Sequence, residues 1–293
     1  MSAPEVARGE DGRVLAPFGR RRGLVVSTRK VGAYVLLEVA DRDGPQADPG
    51  QFHMLATVHG WGGGEDERPY LPRAFSPMGS SGGHLWFLLE DVGPGTHRLA
   101  TLKKGEALWG TGPLGNGFTL PDAPSADEHP GGGRDPAFGG ARRPILVAGG
   151  IGLPPIMALS GALAHRGIEA TMLLGFRDAA HAQVAASFAG ARLATDDGSA
   201  GHPGYVTALL RAELERDPHA LVYACGPAAM LEAVRGLATG NGVPAQLALE
   251  SGMACGYGAC FGCVVPLTAG GYARVCVDGP VMAAGTLRSV PAL

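Results

Sequence analysis

"PILVAGGIGLPPIMALSGALAHRGIEATMLLGF", residues 144–176, is where the rhythm of the chain changes. "PILVA" is an apolar strand, "GGIGLPP" a turn, "IMALSGALAHRG" a helix closed by Gly167, and "EATMLLGF" a strand again. Strand, turn, helix and strand in that order make a βαβ unit, which requires a parallel sheet. The alternation continues downstream. "GYVTALLRAELER" reads as a helix, "ALVYA" as a strand, "PAAMLEAVRGLATG" as a helix ending in glycine, and "AQLALE" closes the series. A parallel α/β domain is therefore predicted over residues 143–249.

Upstream the pattern differs. "RGLVVSTRKV", "AYVLLEVA", "HLWFLLEDV" and "EALWGTGPLG" alternate as strands, with Gly, Pro and Asp between them. Helix-period stretches are lacking before about residue 150, which favours a small antiparallel β-barrel over residues 1–121. "HGWGGGEDERPY" reads as a surface insertion, and residues 122–142 as a Gly/Pro-rich linker that cannot build a core. After residue 250 the alternation breaks into Cys/Gly-rich loops, a short module over residues 250–293.

Composition excludes several classes. With 293 residues, 45% of them hydrophobic, the chain can bury more than one core. Its net charge of −3 gives no argument for nucleic acid or an anionic membrane surface. No run approaches the roughly 18 apolar residues that span a bilayer, and the start is not of signal-peptide type. The expected compartment is the cytoplasm, where thiols stay reduced. Clustered cysteines there point to metal or redox chemistry before disulfides.

Four of the five cysteines fall in that last module: Cys255, Cys260, Cys263 and Cys276, spaced C-x4-C-x2-C-x12-C. The first three match the plant-type [2Fe–2S] run, with the fourth ligand from a later segment. Gly256, Gly258 and Gly262 let the loop wrap closely and aim N–H groups at sulfur. A structural zinc site is the alternative, although zinc ribbons bring two C-x2-C knuckles and this chain has one. Cys225, in "YACGPAAM", reads either as a small apolar residue on a buried strand or as a nicotinamide-side contact at a strand's carboxyl end, with Gly226 and Pro227 beside it.

Three further stretches carry candidate chemistry. Gly149, Gly150 and Gly152 form a glycine turn before a helix, where a dinucleotide pyrophosphate can approach N–H groups and the positive helix end; a plain tight turn is the other reading. In "RAFSP", Arg73 offers a bidentate clamp for phosphate and Ser76 a reach to a flavin edge. "GPGT", residues 93–96, offers N–H and hydroxyl groups to a pyrophosphate. "GTGPLGNGF" reads as a hairpin or domain-junction turn. Asp196 and Asp197 suit an N-cap and turn role better than an acid/base pair.

Taken in order, "RAFS", "EDVGPGT", "GPLGNGF", "VAGGIGLPP", "TDDGSAG", "CGP", "MACGYGACFGCVV" and "VCVDGPV" cover most of the chain. Together they resemble the electron transfer subunits of NAD-dependent dihydroorotate dehydrogenase, within the ferredoxin reductase-like flavoproteins. The resemblance implies FAD held by Arg73, Ala74, Phe75, Ser76, Leu88, Leu89, Glu90, Gly95 and Thr96. It implies a [2Fe–2S] cluster on the four cysteines, NAD(H) at the α/β domain, and no acid or base residue. It also implies a dihydroorotate-oxidising FMN subunit as partner, in a heterotetramer of two plus two, within pyrimidine biosynthesis. A reductase subunit of sulfide dehydrogenase or hydrogenase type, or a zinc-stapled binding module, is the alternative reading. The chain departs from the family in having Ala74 where proline is common, Gly252 where a basic residue is frequent, and longer inserts near residues 60–70 and 122–142.

Overall fold

The computed structural model describes residues 20–62, 69–121 and 142–291. Most of the expected linker, and the acidic part of the expected surface insertion, lie outside the described residues.

The first part comprises β1 (Arg21–Val31), β2 (Tyr34–Ala40), β3 (Phe52–Thr57), β4 (Arg73–Phe75), β5 (Gly79–Ser81), β6 (His84–Glu90), helix α1 (Pro94–Ala100) and β7 (Ala107–Leu114). The strands form one antiparallel sheet in the order β4-β3-β7-β1-β2-β6-β5. Its two edge strands are consecutive in the chain, joined only by Ser76–Met78. That connection reaches at most about 15 Å, whereas seven strands laid flat would span about 29 Å. The sheet must roll until its edges approach, which makes it a barrel. Leu37, Val39, Leu55, Phe87, Leu89 and Leu108 fill the interior.

Helix α1 has no counterpart in the helical periodicity of the sequence. At seven residues it is too short to display a period. It is held instead by Pro94 in the first turn and by reciprocal Gly93–Thr96 capping, in which the Gly93 N–H donates to Thr96 Oγ1 at 3.0 Å.

His53 is an anomaly inside the barrel. It is 1% exposed, packs edge-on to Phe87, and neither ring nitrogen has a hydrogen-bond partner. Burial, then the positive charge of Arg21, outweigh the opposing Asp41 and pull its pKa down to about 4. The unfolded chain therefore binds more protons than the folded one between pH 6.5 and 4, and stability must fall as pH drops through that window. The loss amounts to about 3 kcal/mol. Urea unfolding across this range should show His53→Leu losing one proton's worth of pH slope relative to the parent; identical slopes would refute the assignment.

The second part contains β8 (Arg143–Gly149), α2 (Leu153–His165), β9 (Thr171–Phe176), α3 (Ala179–Ala182), β10 (Arg192–Thr195), β11 (His202–Pro203), α4 (Val206–Arg216), β12 (Ala220–Cys225), α5 (Ala228–Gly240) and β13 (Ala245–Ala248). After it come β14 (Val264–Pro266), β15 (Tyr272–Arg274), α6 (Val275–Asp278) and β16 (Val281–Ala283). The main sheet runs β11-β10-β9-β8-β12-β13-β16, parallel up to β13, with β16 antiparallel at the edge. The last module thus contributes a strand to the α/β sheet.

At the amino end of this sheet, Glu213 of α4 is 2% exposed and accepts from three arginines. Arg143 Nη1 lies at 3.0 Å and Arg216 Nη1 at 3.2 Å, and Arg192 Nη1 makes a short contact. Arg143 and Arg192 are the first residues of β8 and β10. One carboxylate therefore ties a helix to two strand ends.

Candidate active site at the meeting of barrel, sheet and cysteine module

Crossovers leave β8 and β12 in opposite directions, so the crevice beyond their carboxyl ends is where an open α/β sheet binds ligands. Both sequence-predicted glycine stretches end there. Ala148 of β8 is paired in register with Cys225 of β12, and the 149–152 turn and the 225–227 turn therefore leave side by side. A methyl group on Gly152 would strike the backbone of Cys225 and Gly226. The glycine at 152 is required by contact between the two turns, independently of any phosphate. The following helix α2 has Pro154 and Pro155 as its second and third residues, and neither carries an N–H. An anion at this helix start would meet the N–H groups of residues 150–152.

A cavity of about 270 Å³ opens over this crevice. The barrel contributes Phe52, Ala74, Phe75, Ser76 and Leu88; the sheet contributes Ile151, Pro154, Pro155, Cys225 and Ala248. The stretch leading into the last module supplies Leu249, Glu250, Ser251 and Met253, with Pro280 from beyond the fourth cysteine. The Cys225 thiol is 5% exposed, and its pKa is raised by burial and then by the charge of Glu250. It stays a neutral thiol at the cavity wall. Glu250 was not among the sequence-predicted residues. Its signal was present: it follows the carboxyl end of a parallel strand by two residues.

Arg73 lies beside the start of α1. A side chain at Gly95 would stand 2.8 Å from Arg73 Nε, and Arg73 Nη1 donates to the Leu71 carbonyl at 2.6 Å. The guanidinium also stacks 5.9 Å from the Trp61 ring. Cation, glycine N–H and helix start thus converge on one patch, a donor set suited to a pyrophosphate. The Thr96 hydroxyl is engaged in capping, accepting from Val92 and Gly93 N–H. Leu88 faces the cavity, whereas the Leu89 side chain belongs to the barrel core. Glu90 reaches across to the α/β domain, accepting from Arg177 Nη2 at 3.2 Å and lying 3.4 Å from His181 Nε2.

Asp197 and Ser199 shape a turn. Asp197 Oδ1 accepts from the Ser199 N–H at 2.9 Å and its hydroxyl at 2.6 Å, and Ser199 Oγ accepts from the Ala179 N–H at 2.7 Å. The N-cap of α4 is Tyr205, so neither aspartate caps that helix.

Among the described residues no group of three or more His, Cys, Asp or Glu converges as a single-ion site. The module's four thiols influence one another's titration, Cys260 acting on Cys255, and Cys263 and Cys255 on Cys276, so they share one neighbourhood. Four thiols with N–H groups turned toward sulfur are a donor set suited to a [2Fe–2S] cluster. Burial raises the Cys255 thiol, yet the amides of Cys260, Tyr257 and Ala259 and the Cys260 thiol outweigh it and bring its pKa down to about 7. Burial, then the neighbouring Cys263, pushes Cys276 up to about 12. N–H groups also aim at sulfur from Gly262 to Cys260 (3.5 Å) and from Cys276 to Cys263 (3.4 Å). Cys263 and Cys276 are buried at 2% each, while Cys260 is exposed.

Comparison with known proteins bears on the same module. Residues 250–288 match the family model described as the iron-sulfur cluster binding domain of dihydroorotate dehydrogenase B. The dihydroorotate dehydrogenase B (NAD(+)) electron transfer subunit of Geobacillus thermodenitrificans is 36% identical over 278 residues, 92% of this chain and 98% of that protein. Its counterpart in Listeria monocytogenes is 34% identical over 245 residues, 82% of this chain and 87% of that protein. Among solved structures, an NADH-dependent reduced ferredoxin-NADP oxidoreductase superposes with a TM-score of 0.73 at 22% identity, covering 93% of this chain and 91% of that one. The FAD/NAD binding domain of a Vibrio cholerae nitric oxide dioxygenase gives 0.59 at 22% identity, covering 76% and 94%. These two likenesses show the fold.

Proposed function

Because the chain belongs to the electron transfer subunits of NAD-dependent dihydroorotate dehydrogenase B, we propose that it carries electrons between NAD(H), FAD and a [2Fe–2S] cluster, to or from a separate dihydroorotate-oxidising FMN subunit in pyrimidine biosynthesis. The observation that carries this reading is the cavity shared by barrel, switch point and cysteine module. When bound, FAD takes an electron pair as hydride and releases electrons singly, joining a two-electron carrier to a one-electron cluster.

The chain's own residues position and exclude. Ala74, Phe75, Ser76 and Leu88 wall the flavin ring side, and Arg73 with the start of α1 clamps the pyrophosphate. Gly149–Gly152 and Cys225–Pro227 seat the nicotinamide nucleotide against the same cavity, where the neutral Cys225 thiol neither ionises nor attacks. Cys255, Cys260, Cys263 and Cys276 would hold the cluster. The module that carries the exposed Cys260 also exposes Tyr257, Phe261, Val264 and Tyr272, between 37% and 73%. Such an apolar rim beside an electron exit suits docking of the catalytic subunit, and a two-plus-two heterotetramer is the assembly this reading carries. No helix among the described residues is long and apolar enough to cross a membrane, and the reading places the complex in the cytoplasm.

Anaerobic addition of NADH to the purified protein tests the core of this. Flavin absorption should bleach, followed by the broad reddish cluster bands; a colourless protein containing zinc would overturn it. Purification of the native complex should bring down a dihydroorotate-oxidising flavoprotein. Replacing Arg73 with alanine should weaken FAD retention roughly ten- to a hundredfold, the worth of a charge-assisted hydrogen bond or two. Arg73→Lys should recover only part, since a point charge does not reproduce the fork. FAD titration reads both, and unchanged affinity in Arg73→Ala would remove the arginine from the site.

A further inference from the structure

The "GNG" turn, residues 115–117, follows β7 at the barrel's rim. Its contacts run to the segment bearing the fourth cysteine. Asn116 Nδ2 donates to the Val277 carbonyl at 3.1 Å and the Asp278 carbonyl at 3.2 Å. The Asn116 N–H donates to the Gly279 carbonyl at 2.6 Å, and its carbonyl accepts from the Val281 N–H at 3.4 Å. Asn116 and Pro280 form an isolated parallel bridge. One residue thus meets the backbone at every position from 277 to 281.

The flanking residues enforce this seat. Gly115 has φ +71°, and a side chain there would stand 2.5 Å from Pro280 Cδ and 2.6 Å from the Gly279 carbonyl. On the other side, one at Gly117 would stand 2.6 Å from the Pro49 carbonyl. Gln51 Nε2 holds the turn from below, donating to the Gly115 carbonyl at 2.9 Å. Beyond the latch, Pro280 lines the flavin-side cavity and its carbonyl accepts from the Leu249 N–H at 2.9 Å. Cys276 stands one residue before Val277. The latch therefore sits between a cluster ligand and the cavity wall.

A second contact closes the other side of the module. A side chain at Gly256, next to Cys255, would stand 2.6 Å from Met54 Cγ, and Met54 is the cross-strand partner of Ala74. Cluster loop and cavity strand are pressed together there by apolar packing alone. Among the described residues, the module's polar ties to the barrel gather at Asn116, while β16 and the Glu232 carboxylate tie it to the α/β domain.

We propose that Asn116 is a positioning residue for electron passage, latching the segment that bears Cys276 to the barrel's rim and so fixing the cluster's separation from the flavin cavity. This rests on the reading that the four cysteines hold a cluster fed from that cavity. The reaction it serves is one electron leaving reduced flavin and one ferric ion becoming ferrous. Electron passage between separated centres weakens steeply with distance, so loosening the latch should slow this passage without touching hydride transfer.

The test uses full-length, cofactor-loaded protein with Asn116→Ala and Asn116→Asp; the second keeps the shape and removes the donor. Hydrogen–deuterium exchange should show residues 275–281 losing protection in both variants, in loaded and cluster-stripped protein alike, with β8 and β12 unchanged. In stopped flow, NADH should bleach the flavin at the parent rate while the cluster bands follow severalfold more slowly. Parent-like protection of residues 275–281, or a parent-like cluster phase, in both variants would overturn the proposal. If either variant loses its cluster on purification, exchange in the stripped protein decides. Absence of a cluster phase in the parent protein would instead sink the underlying functional reading and leave the latch to be judged by exchange alone.

Discussion

With Cys263 replaced by serine, the protein is expected to keep its flavin, accept hydride from NADH at the parent rate, and hold those electrons with nowhere to pass them. Cys263 is 2% exposed and receives the Cys276 N–H at its sulfur. Serine there offers a hard, weakly acidic oxygen in place of a soft thiolate, a poor exchange for iron. Iron and acid-labile sulfide should fall from about two of each per chain to none, and transfer to the catalytic subunit should drop to background. Flavin content and the pyridine-nucleotide half-reaction are the internal controls, because the cavity's barrel wall lies outside the cysteine loop. Cys225→Ser should retain full iron and sulfide. A Cys263→Ser protein with the parent's iron content would remove that thiol from the cluster.

Replacing Glu213 with alanine should produce the largest loss of stability of any single change at the amino end of the sheet. The side chain is 3% exposed and accepts from Arg143, Arg192 and Arg216. Removing it takes away the acceptor all three share: Arg192 and Arg216 reach water, but Arg143 is less exposed and already has one guanidinium nitrogen buried without a partner. Losing charge-assisted hydrogen bonds of this kind costs about 2–3 kcal/mol, and a domain of this size should unfold roughly 5–10 °C lower. Asp217, which accepts from Arg143 Nε at 3.0 Å, keeps part of the hold on that arginine. Glu213→Gln, which retains an acceptor, should lose roughly half as much. Thermal and urea unfolding measure both, and a midpoint within a degree or two of the parent in Glu213→Ala would show that the three arginines find equivalent partners. The site lies at the end of the sheet remote from the cavity, so NADH-driven flavin bleaching below the transition should be unaffected.

The parallel α/β core was legible because its signals are local. Apolar runs at β8, β9, β12 and β13 and the glycine-closed helices α2 and α5 carry their own punctuation within a few residues. Strand β10 was not legible: it is four residues long, with Arg192 and Thr195 at its ends, and it becomes a strand only through pairing with β9. The same holds for β16, whose three residues join a sheet more than thirty positions upstream.

Of the site, the thiol spacing and the two glycine turns were readable because motif and chemistry coincide in a short window. Glu250, Met253 and Pro280 were not, since each reaches the cavity by the path of the chain and none has a spacing to betray it. Asn116 lies between these cases. Its glycine-flanked turn was visible as a junction, but its partners at 277–281 are about 160 positions away, and nothing nearby names them. Leu89 shows the converse limit: a stretch singled out by its neighbours contains a side chain that belongs to the barrel core.

Strand β16 pairs Val281, Met282 and Ala283 with Ala248, Leu247 and Gln246. That splice forbids the cysteine loops from swinging out on a tether, as a mobile carrier arm would. A cluster held there would be a stationary terminal, reached by a docking protein and not carried out to it by an excursion of this chain.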